Sequence, residues 1–287
     1  MRFPPLNKRI KGFLMLLRPT YWLMTGGVSI LTALVLKKGE VDAVLFVEMF
    51  VSMAFVVSSG FAINDYFDLK TDAVVKPNRP IPSGAVSPKQ AVVVSALMLA
   101  LGLLAAFVIS VYCFALLLFD SVLLLFYSAL LKKQSGTLAN MVVGFLIATS
   151  FLYGEIAALN VITVKSISLA FTSFGSVGGN ILRDVLSLEG DMKVNYPTMP
   201  KEIGVKLSVE VSAFFLLLSA LCCPFPYVVG AVRFGYLPLI AIWDAAILYS
   251  SISLFRNQDV SNVKRQERIM TMSMILLPLA MIVGAYV

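Results

Sequence analysis

The chain has no histidine and only three cysteines, Cys113, Cys222 and Cys223, among its 287 residues. Those gaps leave almost nothing for zinc, haem or a Ser-His-Asp nucleophile, and the cysteines have neither metal-ligand spacing nor an even disulfide framework. Charge is scarce too, at 14% of residues. What remains for holding a cation is the oxygen of Asp, Glu and Asn, a donor set that suits Mg2+.

Hydrophobic residues make up 59% of the chain, and the mean hydropathy is +0.89, far from a soluble domain. The composition predicts a polytopic membrane protein. Runs long enough to cross the hydrocarbon core lie near 19–36, 44–63, 91–111, 112–131, 138–159, 167–182, 207–222, 235–255 and 269–287, which predicts nine transmembrane helices. The third and fourth form one apolar stretch whose only charge is Asp120; it is too long for a single span and is split near Ser110. Residues 1–287 read as one transmembrane domain, with loops at about 64–89 and 183–206.

Arg2, Lys8, Arg9, Lys11 and Arg18 precede the first span, which lacks a small-residue cleavage site and reads as uncleaved. Of the 23 Lys and Arg residues, only Lys37, Lys38, Lys165 and Arg233 fall on the opposite side from that tail. Short cytoplasmic loops carry the Lys/Arg excess. The expectation is a multi-pass cell-membrane protein with a cytoplasmic N-terminus and cytoplasmic loops after the even-numbered spans. The net charge of +7 then follows from topology and an anionic leaflet, and no nucleic-acid module is visible.

Directly after the second run stands NDYFDLKTD, residues 64–72. If the helix continues there, Asp65, Asp68 and Asp72, at i, i+3 and i+7, share a face. Carboxylates about 6 Å apart repel by about 3 kcal/mol at an effective dielectric of 20, so cations must compensate. An echo, DVLSLEGD at 184–191, again places aspartates seven apart, Asp184 and Asp191, with Ser187 between and Glu189 nearby. Solvated loop acids are the bland reading of any one of these. Two clusters on one side of a helical bundle point instead to Mg2+ bridging a diphosphate, with Lys76, Arg79, Lys132, Arg183 and Lys193 around it.

These segments, with NRPIPSG (78–84) and YSALLKK (127–133) followed by Asn140, resemble the signature segments of the UbiA superfamily of intramembrane prenyltransferases, most closely its archaeal lipid branch. The resemblance covers most of the chain, from Arg18-Pro19 to at least Pro200. It implies nine helices around a central cavity, related to the all-helical prenyl synthase arrangement, and two Mg2+ ions. It also implies a prenyl diphosphate donor and a lipophilic acceptor in the bilayer. For the lipid branch, a geranylgeranyl group passes from its diphosphate to the free hydroxyl of geranylgeranylglyceryl phosphate.

Position by position, Asn64, Asp65, Asp68 and Asp72 match the first metal motif, and Asp184 and Asp191 the second. Arg18, Arg79, Tyr127, Lys132 and Asn140 match positions near the diphosphate or the reacting carbon, with Asp65, Asp68, Asp184, Tyr127 and Lys132 as the catalytic set. Ser187 stands where a third aspartate is usual, Gly179-Asn180 where the lipid branch has Arg-Glu, and Tyr21 where asparagine is frequent. An aromatic acceptor and a divalent-cation transporter stay open as alternatives, while the DG-x2-AR pattern of a CDP-alcohol phosphotransferase is missing. Asp120, Glu155 and Asp244 lie inside spans, where ionisable residues are functional candidates by default.

Overall fold

The computed structural model describes residues 6–287; Arg2 of the basic tail lies outside them. Among the described residues every regular element is helical: α1 Leu6–Leu17, α2 Pro19–Leu36, α3 Ala43–Phe67, α4 Leu69–Val75, α5 Pro88–Ile109 and α6 Val111–Phe126 come first. A π-helical turn, Tyr127–Leu131, leads to α7 Lys132–Gln134, α8 Gly136–Leu159, α9 Val164–Ala170, α10 Phe174–Lys193, α11 Met199–Ile203 and α12 Val205–Cys222. The chain ends with α13 Phe225–Val228, α14 Tyr236–Arg256, α15 Val260–Ser273 and α16 Leu276–Tyr286.

The punctuation follows from local chemistry. Ser87 and Gln90 form a reciprocal capping box, with Pro88 in the first turn, that starts α5. Ser110 breaks the long apolar stretch where expected: its backbone is extended, and its hydroxyl accepts from Cys113 N–H to start α6. Ser135 starts α8 in the same way, accepting from Leu138 N–H.

Neighbours in sequence pack as neighbours in space. α2, α3, α5, α6, α8, α10, α12, α14 and α16 each contact the next, and α16 returns to α2 to close a ring. Lipid offers no hydrophobic reason for one apolar helix to prefer another, so hydroxyl bonds and close packing set the pairing. Ser29 Oγ donates to Ser150 O at 2.9 Å between α2 and α8, Ser212 Oγ to Gly178 O at 2.8 Å between α12 and α10, and Ser251 Oγ to Ala213 O at 2.6 Å between α14 and α12.

Eight helical stretches among the described residues are long and apolar enough to span a bilayer, which makes this a multi-pass membrane protein. The expected sixth span, 167–182, differs. That region is helical from Val164 to Lys193, but a 3-10 turn at Phe171–Ser173 interrupts it, and α10 carries Arg183, Asp184, Glu189, Asp191 and Lys193. α10 occupies its place in the ring without being apolar enough to count among the eight, because its far end belongs to the acidic motif.

Candidate functional site

The two motifs meet at one end of the ring, where α3, α6 and α10 finish and α2 and α8 begin. α3 stops at Phe67 and α4 starts at Leu69, but Asp68 N–H still bonds Asn64 O and Asp72 N–H still bonds Asp68 O. The helical path continues with a small break. Asp65 and Asp72 turn to one partner: Arg79 Nη1 lies 2.7 Å from Asp65 Oδ1 and 3.2 Å from Asp72 Oδ2. Asp68 turns to another, its Oδ1 lying 2.6 Å from Lys132 Nζ while its Oδ2 accepts from Asn64 Nδ2 at 3.0 Å.

Arg18 completes the compensation, with Nη2 2.6 Å from Asp65 Oδ1 and its guanidinium 4.5 Å from the centre of the Phe61 ring. Its backbone is left-handed, at φ 47° and ψ 67°. That conformation costs a non-glycine residue about 1–3 kcal/mol and persists only where surrounding contacts hold it. Here it turns the chain sharply between α1 and α2 and delivers the side chain to Asp65.

The π-helical turn explains the spacing of YSALLK. Lys132 N–H bonds back to Tyr127 O, five residues earlier, so the two side chains share a face that an α-helix would separate. Lys132 Nζ sits 5.8 Å from the centre of the Tyr127 ring, and the Tyr127 phenol lies within charge range of Asp68 from the first motif and Asp184 from the second. Ser128, buried beneath, donates to Asn64 Oδ1 at 3.2 Å.

In the second motif, Asn140 Nδ2 donates to Asp184 Oδ2 at 2.7 Å. Burial pushes the Asp184 carboxyl up to about 6, with Asp191 adding to the rise and the bond from Asn140 opposing it. Ser187 Oγ donates to Asp191 Oδ2 at 2.6 Å, so the serine braces Asp191, and Glu189 is exposed. Burial likewise raises Asp72; Arg79 pulls it down, and Asp68 and Asp65 push it up.

The loop after α10 docks on the start of α8. Glu202 accepts from the N–H groups of Gly136 and Thr137 and from the hydroxyls of Thr137 and Ser135. A Cβ on Gly136 would overlap the backbone of Thr198 and Met199, so only glycine admits that approach. The docked loop carries Tyr196, which the motif reading passed over. Burial first, and then the carboxylate of Asp68, holds its phenol well above the usual range, with Asp191 and Asp184 also nearby. An aromatic residue five places after Asp191 is the signal that was there to read.

Other expected members fall elsewhere. Arg183 is turned out of the site: its Nε lies 3.3 Å from Glu267 Oε1 on α15 and its Nη1 donates to Asn180 Oδ1 at 3.3 Å, because its position on α10 faces the neighbouring helix. Lys76 and Lys193 are exposed, Lys76 within charge range of Asp72. Asp120 Oδ2 accepts from Thr149 Oγ1 at 2.8 Å. Glu155 accepts from Thr163 and Ser166 where α8 turns into α9, and Asp244 pairs with Cys223. The other carboxylate oxygens of Asp120 and Asp244, both Oδ1, are buried without a hydrogen-bond partner. A surface groove of about 560 Å3 beside Lys206, Arg256 and Asp259 contains none of the motif residues.

The donors fit a hard divalent cation by chemistry: all are oxygens, and Asp65 Oδ2 is buried with no hydrogen-bond partner. Protein cations now stand between the carboxylates, and among the described residues no three acidic side chains converge as a ready metal cage.

An all-helical membrane protein with paired acidic motifs at one end of a closed ring defines a class of intramembrane enzyme. The chain belongs to the UbiA prenyltransferase family, whose profile matches residues 26–275. Digeranylgeranylglyceryl phosphate synthase of Methanocaldococcus jannaschii is 30% identical over 279 residues, covering 97% of each chain. A solved structure described as digeranylgeranylglyceryl phosphate synthase in membranes superposes with a TM-score of 0.83 at 28% identity, covering 96% of this chain and 98% of that one. A UbiA homologue from Archaeoglobus fulgidus, solved with DMAPP and Mg2+, shares the fold at a TM-score of 0.69 and 17% identity, covering 93% and 99%.

Proposed function

We propose that this prenyltransferase moves a geranylgeranyl group from geranylgeranyl diphosphate to the free hydroxyl of geranylgeranylglyceryl phosphate, making the second ether bond of an archaeal membrane lipid and releasing diphosphate. The observation that carries the reading is Tyr127, within charge range of both Asp68 and Asp184, sharing a π-helical face with Lys132, which pairs with Asp68. Relatives about 30% identical that bear the lipid synthase name favour this acceptor over an aromatic one.

Asn64, Asp65, Asp68 and Asp72 would hold one Mg2+ ion, and Asp184 and Asp191 a second; such ions, when bound, would supply positive charge for the diphosphate leaving group. Arg18, Arg79 and Lys132, with Lys76 and Lys193 reaching in from exposed positions, take the diphosphate oxygens, and Asn140 keeps Asp184 oriented. The bond from the allylic carbon to oxygen breaks, its electron pair leaving with the diphosphate. The Tyr127 ring faces the allylic cation. The acceptor oxygen then bonds to that carbon and gives its proton to the departing diphosphate, inside a ring of helices that excludes water. The enzyme sits in the cell membrane with its N-terminus and motif loops toward the cytoplasm, in line with the placement of Lys and Arg.

The test is a panel of acceptors offered to purified protein in liposomes with geranylgeranyl diphosphate and Mg2+, following diphosphate release and product mass. The expected product is the doubly alkylated glycerol phosphate, lost on chelation and in Asp68→Ala and Asp184→Ala. Full activity of those variants would sink the paired-motif mechanism. Product from an aromatic acceptor alone would move the protein to another branch, and metal flux without product would make it a transporter.

A further inference from the structure

From Leu6 to Leu36, α1, Arg18 and α2 span 31 residues, about 46 Å of helix if straight, against a hydrocarbon core of about 30 Å. They are not straight: the left-handed Arg18 separates them, and α2, with 18 residues, is long enough to cross the core. α1 is left to lie elsewhere.

Its buried side identifies the place. Leu16 clusters with Ala62 near the end of α3, Ile81 and Val86 in the loop that carries Arg79, and Ala91 at the start of α5. A Cβ on Gly12 would stand 2.7 Å from Ala85 Cβ, and Lys8 Nζ donates to Ser83 O at 3.1 Å. Every one of these partners belongs to the motif end of the bundle. α1 therefore lies across that end, level with the 76–86 loop.

The two remaining sides of α1 differ in chemistry. Leu6, Ile10 and Leu14, at i, i+4 and i+8, form an apolar strip that is 70%, 51% and 55% exposed. Lys8 and Lys11 are exposed on the adjoining side. An apolar strip with Lys11 on the adjoining side, on a helix joined to a membrane span by the turn at Arg18, matches the boundary between acyl chains and headgroups, and the lysine matches anionic lipid there.

We infer that α1 is an interfacial helix whose partner is the anionic lipid surface, and that its seat there holds the 76–86 loop, and with it Arg79, over the acidic site. Arg79 is the link: it pairs with Asp65 and Asp72 from a loop whose other end is pinned under Gly12 and Lys8. The consequence for turnover rests on the diphosphate reading above; the seating does not.

Hydrogen–deuterium exchange on the full chain in nanodiscs, with and without anionic phospholipid, tests both parts. Amides of 6–17 and 76–86 are expected to be slowest with anionic lipid. In Lys11→Glu and Ile10→Asp both segments should lose protection together, and the apparent KM for the prenyl diphosphate should rise several-fold with kcat changed less. Exchange at α1 that ignores lipid charge and both substitutions would overturn the seating. A protected α1 beside an independently exchanging 76–86 segment would overturn the link. The expected exchange pattern in a protein that turns over no prenyl diphosphate would uphold the seating and sink the transfer reading alone.

Discussion

Lys132 Nζ lies 2.6 Å from Asp68 Oδ1, and the lysine side chain is only 3% exposed. A buried ammonium is tolerable when a carboxylate meets it, and a buried carboxylate cluster is tolerable when cations from several segments meet it. Arg18 ahead of α2, Arg79 in the 76–86 loop and Lys132 at the end of the α6 path each bring one positive charge to the first motif.

Removing that ammonium leaves Asp68 without its charge partner. Lys132→Met is expected to lose about 3–5 kcal/mol of stability and about 100- to 1,000-fold in kcat. Thermal unfolding in detergent and initial rates check the two separately. Adding Asp68→Asn should recover part of the stability and none of the rate; a double variant as unstable as Lys132→Met would show that the pair is not the cause.

The π-helical turn is one residue longer than an α-helix needs. Deleting Ala129 is expected to convert Tyr127–Leu131 to α-helix and leave tyrosine and lysine four apart, still on one face. That deletion should therefore retain far more activity than Tyr127→Ala, measured as diphosphate release from matched amounts of folded protein. Equal loss in both would mean that the face shared by the two side chains is unimportant.

Ser187 now braces Asp191 by donating to its carboxylate. Ser187→Asp places a third carboxylate between Asp184 and Asp191, which a divalent cation would accept and a site without metal would not. The half-saturating Mg2+ concentration should fall in Ser187→Asp and rise in Ser187→Ala. An Mg2+ titration of the rate that leaves both variants at the wild-type value would contradict a metal role for Asp191.

Glu202 holds the loop after α10 to the start of α8. Burial pushes its carboxyl up, but the bonds from Thr137, Gly136 and Ser135 outweigh that and leave it lowered. A carboxyl lowered in the folded state adds stability that is present above the ordinary glutamate value, about 4.3, and disappears as pH falls through its folded value. Glu202→Ala should cost about 1 kcal/mol at neutral pH, and the gap from wild type should close in more acidic melts.

Much of this was legible in order along the chain. The break at Ser110, the membrane class and the two aspartate pairs all rest on short-range chemistry: a cap, a run of apolar residues, a helical interval. The polar α10 was harder, because the acidic motif lowers the hydropathy of the helix that must carry it. Arg183 and Tyr196 depart from the sequence pattern in opposite directions. Arg183 adjoins Asp184 in sequence but points a different way around the helix, toward Glu267. Tyr196 sits in a loop without periodicity, and the docking of Glu202 brings it back to the site.

Hydropathy accumulates residue by residue, so composition and order along the chain were enough to establish a helical membrane protein, with both acidic motifs expected at one end. Which cation meets which carboxylate was decided only by packing. Ion pairs such as Arg18 with Asp65, and Lys132 with Asp68, depend on how each helix is rotated about its axis and on turns such as the left-handed Arg18 and the π-helical Tyr127–Leu131. Those rotations follow from contacts between distant segments, and a one-dimensional pattern does not contain them.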